Sequence, residues 1–156
     1  MRICQVHPAC GLEVPPKGWG AIEKIVWEFH TNFQKLGIES EIKFATEIKP
    51  DEYDIVLCHV ANLTEILINN NIPYVYQLHD HHVYHHGKDS YSYKKNKEAI
   101  DNSILSLVPA KYLVNYFESN KDNFKTFKDM PWSEVCKDNA LLFHIERHMN
   151  SNSKKK

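Results

Sequence analysis

The sequence is short of arginine, of net charge and of long apolar runs, and each shortage excludes something. Only Arg2 and Arg147 are arginines, so the guanidinium forks suited to reading base edges are scarce. Lysine and arginine number 19 against 20 aspartates and glutamates, a formal charge of -1. A balance so near zero argues against a chain built mainly to hold nucleic acid or an acidic membrane surface. No apolar stretch reaches the roughly 18 residues of a membrane-spanning helix. The opening MRICQVHPAC is too short and too polar for a secretory leader. The four cysteines, Cys4, Cys10, Cys58 and Cys136, form no CxxC and no zinc-finger spacing. Cys4 and Cys58 sit in apolar runs and read as buried small hydrophobes. A reducing, cytoplasmic compartment is the expectation.

What is present is a globular composition: 156 residues, 42% hydrophobic and 25% charged. That is room for one domain with an ordinary core. Arg2–His7 is a short apolar run and reads as a buried strand. The loop Pro8–Trp19 holds enough proline and glycine to stop any regular element. Ile22, Ile25, Val26, Phe29, Phe33 and Leu36 then recur at three and four residues, a helix that Gly37 ends. Strands are expected at Ile38–Phe44, Asp54–Cys58, Pro73–Leu78 and Ser103–Val108. Helices are expected at Asn62–Asn70, Ser92–Asp101 and Ala110–Glu118. This order predicts an α/β domain with a mainly parallel sheet of five or six strands between helices. Asn120–Asp129 is lysine-rich and shows no clear period. Pro131 opens a candidate helix, and Trp132, Val135, Leu141, Leu142 and Ile145, on one side of that helix or of a helix and a short strand, need cover. The division is therefore a domain over residues 1–119, an extension over 120–149 that packs on it, and a disordered tail over 150–156.

Open parallel sheets bind ligands beyond the carboxyl ends of their strands. The loop Pro8–Gly20, His59, the pair His79-Asp80 and Pro109 all leave strand ends, so they should share one rim. Gly18-Trp19-Gly20 precedes the first helix, where free N–H groups suit a phosphate. It is not a dinucleotide fingerprint, since Glu23 stands at the third glycine position. Five of the ten histidines lie within His79–His86, and His59 ends the neighbouring strand. Imidazole donates, accepts and titrates near neutrality, which suits sugar hydroxyls and proton transfer. His81/His85 and His82/His86 have the i,i+4 spacing of helix ligands, but no HExxH pattern or cysteine accompanies them, and no native metal site is expected. A histidine-rich surface loop is the plainer alternative. Tyr74, Tyr76, Tyr84, Tyr91 and Tyr93 surround the cluster, as a carbohydrate site or an ordinary core would have them. No Ser/His/Asp order and no carboxylate pair names a nucleophile or an acid–base couple.

Met1–Val6, Pro15-Pro16-Lys17-Gly18-Trp19-Gly20-Ala21-Ile22-Glu23 and the long helix ending in Leu36-Gly37 together resemble the start of the retaining glycosyltransferases of family 4. Asp54–His59 is similar to that family's strand ending in histidine, and Tyr74–Asp80 to its strand ending in His-Asp. Leu107–Leu113 is similar to the segment where a strand meets a serine and a helix, with Pro109 or Ala110 at the serine position. The resemblance covers Met1 to Phe117 and implies a Rossmann-like domain, the acceptor-side half of a GT-B enzyme. It implies that Gly18, Trp19, Gly20 and Ala21 face the phosphates of a nucleotide-sugar donor. His79 and Asp80 become the catalytic candidates, with His59, His79 and Tyr84 contacting acceptor or sugar. No cofactor other than that donor substrate is implied. The donor half is not in these residues, so the resemblance implies a fragment, one subunit of a split enzyme that needs a donor-domain partner or self-association, or a relict with another task. Non-catalytic binding of carbohydrate or protein is the alternative function, and a nucleotide-binding protein of another kind a third.

Overall fold

The structure, a computed structural model, describes residues 1–79, 83–108, 111–117 and 124–126. Six strands, β1 (Arg2–Val6), β2 (Glu39–Lys43), β3 (Ile55–Cys58), β4 (Val75–Gln77), β5 (Leu105–Val108) and β6 (Phe124–Thr126), form one parallel sheet in the order β2-β1-β3-β4-β5-β6. Helices α1 (Ala21–Lys35), α2 (Ala61–Asn69), α3 (Val83–His86), α4 (Tyr91–Asn102) and α5 (Lys111–Phe117) connect them. This is a Rossmann-like α/β domain, as the alternation of apolar runs and amphipathic segments predicts. It matches the arrangement of one half of a GT-B fold.

The strands are buried on both faces because each face meets a helical layer. Ile3, Ile55, Leu57, Val75, Leu105 and Leu107 point to the side of Phe29 and Phe33 on α1. Cys4, Val56, Cys58, Tyr74 and Tyr76 alternate to the opposite side, where Leu67 of α2 and Ala99 and Ile100 of α4 pack. The apolar positions of α1 recur on one face, where Val26, Phe29 and Phe33 are buried. Gly37, at φ +74°, ends α1. Its N–H donates to Gln34 O and that of Ile38 to Phe33 O, a Schellman ending that only a left-handed residue completes.

Three elements escape the sequence pattern. Ala45–Glu47 forms one turn of 3-10 helix, and Val83–His86 is a helical turn within the stretch expected to be a histidine loop. Phe124–Thr126 adds a sixth strand beside β5 in a stretch without alternation. The rest of the expected extension over 120–149 and the tail over 150–156 lie outside the described residues. No helix among the described residues is long and apolar enough to cross a membrane.

Candidate functional site

The strand order reverses between β1 and β3: the chain leaves β1 toward α1 on one face and leaves β3 toward α2 on the other. A crevice opens at such a point, beyond the carboxyl ends of the two strands. The polar side chains found there are Gln5, near the end of β1, and His59, one residue past β3. His59 is 3% exposed. Its Nε2 lies 3.2 Å from Gln5 Oε1, so the contact spans the reversal. Its Nδ1 lies 2.9 Å from Nε2 of His79, which stands just past β4. Gln5 Nε2 donates to the carbonyl of Val26 on α1 at 2.9 Å, and the Phe29 ring stacks over His59 at 6.2 Å between centroids.

Burial disfavours the charged form of both rings. It pushes His59 well below the usual 6.5, and the neighbouring His79 adds to that. Burial brings His79 down to about 4. At neutral pH the pair is two neutral imidazoles, each with one donor and one acceptor nitrogen.

A cavity of about 280 Å³ opens beside the two rings. Tyr76 and Leu78 of the sheet, Asn62 at the start of α2, and Tyr91, Lys95 and Asn96 of α4 border it, and Cys10 and Ile22 close it from the first loop and α1. The Lys95 ammonium is held 3.0 Å from both Glu65 and Glu98, so its charge is matched twice over. Asn96 accepts from the Tyr76 hydroxyl at 2.6 Å and donates to the Ser92 carbonyl at 2.9 Å. The walls are therefore aromatic and polar without excess charge. Among the described residues no group of three or more His, Cys, Asp or Glu is placed to hold a metal ion.

The structure joins some of the residues singled out from sequence and separates others. His59 and His79 meet on one rim. Gly18 and Trp19 do not line their cavity: with Gly11, Leu12 and Pro16 they border a separate open groove, and Trp19 is 86% exposed. Gly20 is the N-cap of α1 and Ala21 its first residue. A Cβ on Gly20 would meet Pro16 Cβ at 3.0 Å and Glu23 Oε2 at 3.1 Å, at φ +156°. Glu23, on the first turn of α1 and 3% exposed, brings its carboxyl group close to Gly20. Tyr84 lies on α3, half exposed, its ring 4.9 Å from that of Tyr116 and away from the cavity wall. His85 and His86 are exposed on the same turn. Asp80, His81, His82, Pro109 and Ala110 lie outside the described residues.

Sequence reasoning missed Gln5 and Gln77. Both are fully buried, and neither amide atom of Gln77 has a hydrogen-bond partner among the described residues. The signal was available: a glutamine inside an otherwise apolar buried strand must either bond or cost on the order of 1–3 kcal/mol. No known protein-family model matches the chain, and no curated protein matches it. The fold is compatible with a Rossmann-type nucleotide-binding domain, and beyond the fold the geometry of the rim is the guide to function.

Proposed function

We propose that this domain is the acceptor-side half of a retaining glycosyltransferase, acting in sugar transfer from a nucleotide sugar together with a donor-side domain or partner. The observation that carries the reading is the neutral His59–His79 pair on the wall of an aromatic, polar cavity at the sheet's reversal point. At about 280 Å³ the cavity falls just below the roughly 300–1,000 Å³ of drug-sized ligand sites, which suits one sugar residue. Aromatic faces and neutral hydrogen-bonding groups are what a sugar ring requires, and Tyr76, Tyr91, Asn62 and His79 supply them. In this reading the sugar passes to an acceptor hydroxyl with its anomeric configuration retained, and His79, followed in sequence by Asp80, contacts the sugar near the reacting centre. The roles of Gly18–Ala21 toward the donor phosphates rest on the family resemblance and on the two glycines that precede a helix N-terminus. Positioning a developing positive charge against a departing phosphate and excluding water both call for a second wall, which the donor side provides.

The test is a titration of isotope-labelled protein with neutral monosaccharides and disaccharides, and separately with UDP, GDP and pyrophosphate, following backbone amides. Sugars should perturb His59–Asn62 and Tyr91–Asn96, and nucleotides Gly18–Ala21. No perturbation of the rim by any sugar at millimolar levels removes the reading. Sugar binding without any transfer when a candidate donor domain is added selects the non-catalytic carbohydrate-binding module instead.

A further inference from the structure

The hydrogen bonds around His59 determine more than proximity. The Val26 carbonyl only accepts, so the Gln5 atom 2.9 Å from it is the amide nitrogen, and the amide oxygen faces His59. An amide oxygen only accepts, so His59 Nε2 carries the hydrogen. A neutral His59 then has a bare Nδ1. A charged His59 would have hydrogens on both nitrogens, but the ring is 3% exposed, is stacked by Phe29, and among the described residues has only Gln5 and His79 as hydrogen-bond partners. With His59 Nδ1 as an acceptor, His79 Nε2 must donate across the 2.9 Å gap. The nitrogen left over on His79 is Nδ1, with its lone pair free among the described residues.

We infer that Gln5 and His59 are positioning residues that lock His79 in the tautomer protonated at Nε2, so that its Nδ1 accepts a hydrogen bond from a neutral hydroxyl-bearing ligand in the adjoining cavity. The chain runs from the Val26 carbonyl on α1 through β1 and β3 to the end of β4, and each link dictates the next. It explains why a glutamine interrupts the apolar β1 strand. A hydrophobic residue there would leave the buried Nε2–H of His59 unpaired. It also sets the ligand class. A bare imidazole nitrogen repels an anion's lone pairs and accepts from a hydroxyl, and Lys95 on the cavity wall is already matched by Glu65 and Glu98. The choice of a sugar hydroxyl rests on the function proposed above, whereas the tautomer stands on the free protein's hydrogen bonds.

Two measurements keep those parts separate. Long-range nitrogen–proton spectra of labelled protein at neutral pH read each imidazole directly. His59 and His79 should both show the hydrogen on Nε2, and Gln5→Leu should shift His79 toward a mixture of tautomers. A His79 protonated at Nδ1 in the native protein overturns the lock, and no variant is needed to see it. A His79 unmoved in a folded Gln5→Leu protein overturns the role of Gln5. Methyl glucoside and methyl mannoside, compared with inorganic phosphate, then probe the ligand. A glycoside should move the His79 Nδ1 resonance while phosphate does not, and Gln5→Leu should weaken glycoside binding roughly tenfold, the worth of one hydrogen bond. A response to phosphate alone, or to none of the three, overturns the ligand class even where the tautomer is as stated.

Discussion

The rim at β3 and β4 and the loop after β1 both stand at carboxyl ends of strands, yet they are built in opposite ways. His59 is enclosed by Gln5, Phe29 and His79, and its hydrogen bonds run back to the backbone of α1. The loop presents Trp19 at 86% exposure and an open groove bordered by its own residues. The difference is one of support. A side chain just past a central strand inherits the order of the sheet, whereas a residue in the middle of a twelve-residue loop such as Pro8–Trp19 must be ordered by its own contacts. A group meant to hold one tautomer needs the first kind of setting. A surface that meets a second body can use the other.

The largest test of that contrast is Phe29→Ala. Phe29 is 2% exposed and packs on Phe33 and His59, so its loss should cost about 3–5 kcal/mol in urea unfolding. A loss below 1 kcal/mol would place the rim in the same loosely held class as the loop.

Next is acid. Both rim histidines have folded pKa values below the usual 6.5, so as pH falls the unfolded chain takes up protons before the folded one. The stability they leave intact is complete above about pH 6.5 and declines as pH drops toward the folded value of His79, about 4. His79 alone should account for on the order of 3 kcal/mol over that interval. Unfolding midpoints measured from pH 7 to 4 should show the decline, and His79→Phe should flatten it. An unchanged slope in that variant would mean that the pair is not desolvated as described.

Gly20→Ala tests the joint between loop and helix. The added Cβ meets Pro16 at a backbone angle that side chains rarely adopt, so a loss of about 1–2 kcal/mol is expected. A neutral result would show that the loop shifts freely against α1. Trp19→Ala should be smallest, within about 0.5 kcal/mol, because the residue is 86% exposed. A larger thermal shift there would erase the distinction between the two regions.

The sheet was legible because its causes are local. Apolar runs at β1, β3, β4 and β5 and the three- and four-residue spacing of α1 are properties of neighbouring residues, and the parallel arrangement follows from alternation with helices. β6 was not legible: three residues in a lysine-rich stretch carry no alternation, and pairing with β5 makes the strand. The candidate site divides likewise. That His59 and His79 leave adjacent strand ends could be read from their positions after apolar runs. That Tyr84 turns to Tyr116, while Tyr91 from α4 reaches the cavity, could not, since helix placement decides it.

By itself the sequence determined the alternation of strands and helices, the absence of a long apolar helix among the described residues and the nomination of one rim for the chemistry. Only the tertiary structure decided which nitrogen of which histidine is free. A tautomer depends on partners that are remote along the chain: Gln5 lies 21 residues before Val26 and 54 before His59, and His59 lies 20 before His79. No local pattern encodes a hydrogen bond between residues so far apart; the fold brings them within 3.2 Å, and the one-way character of carbonyl acceptors then settles every proton in the row.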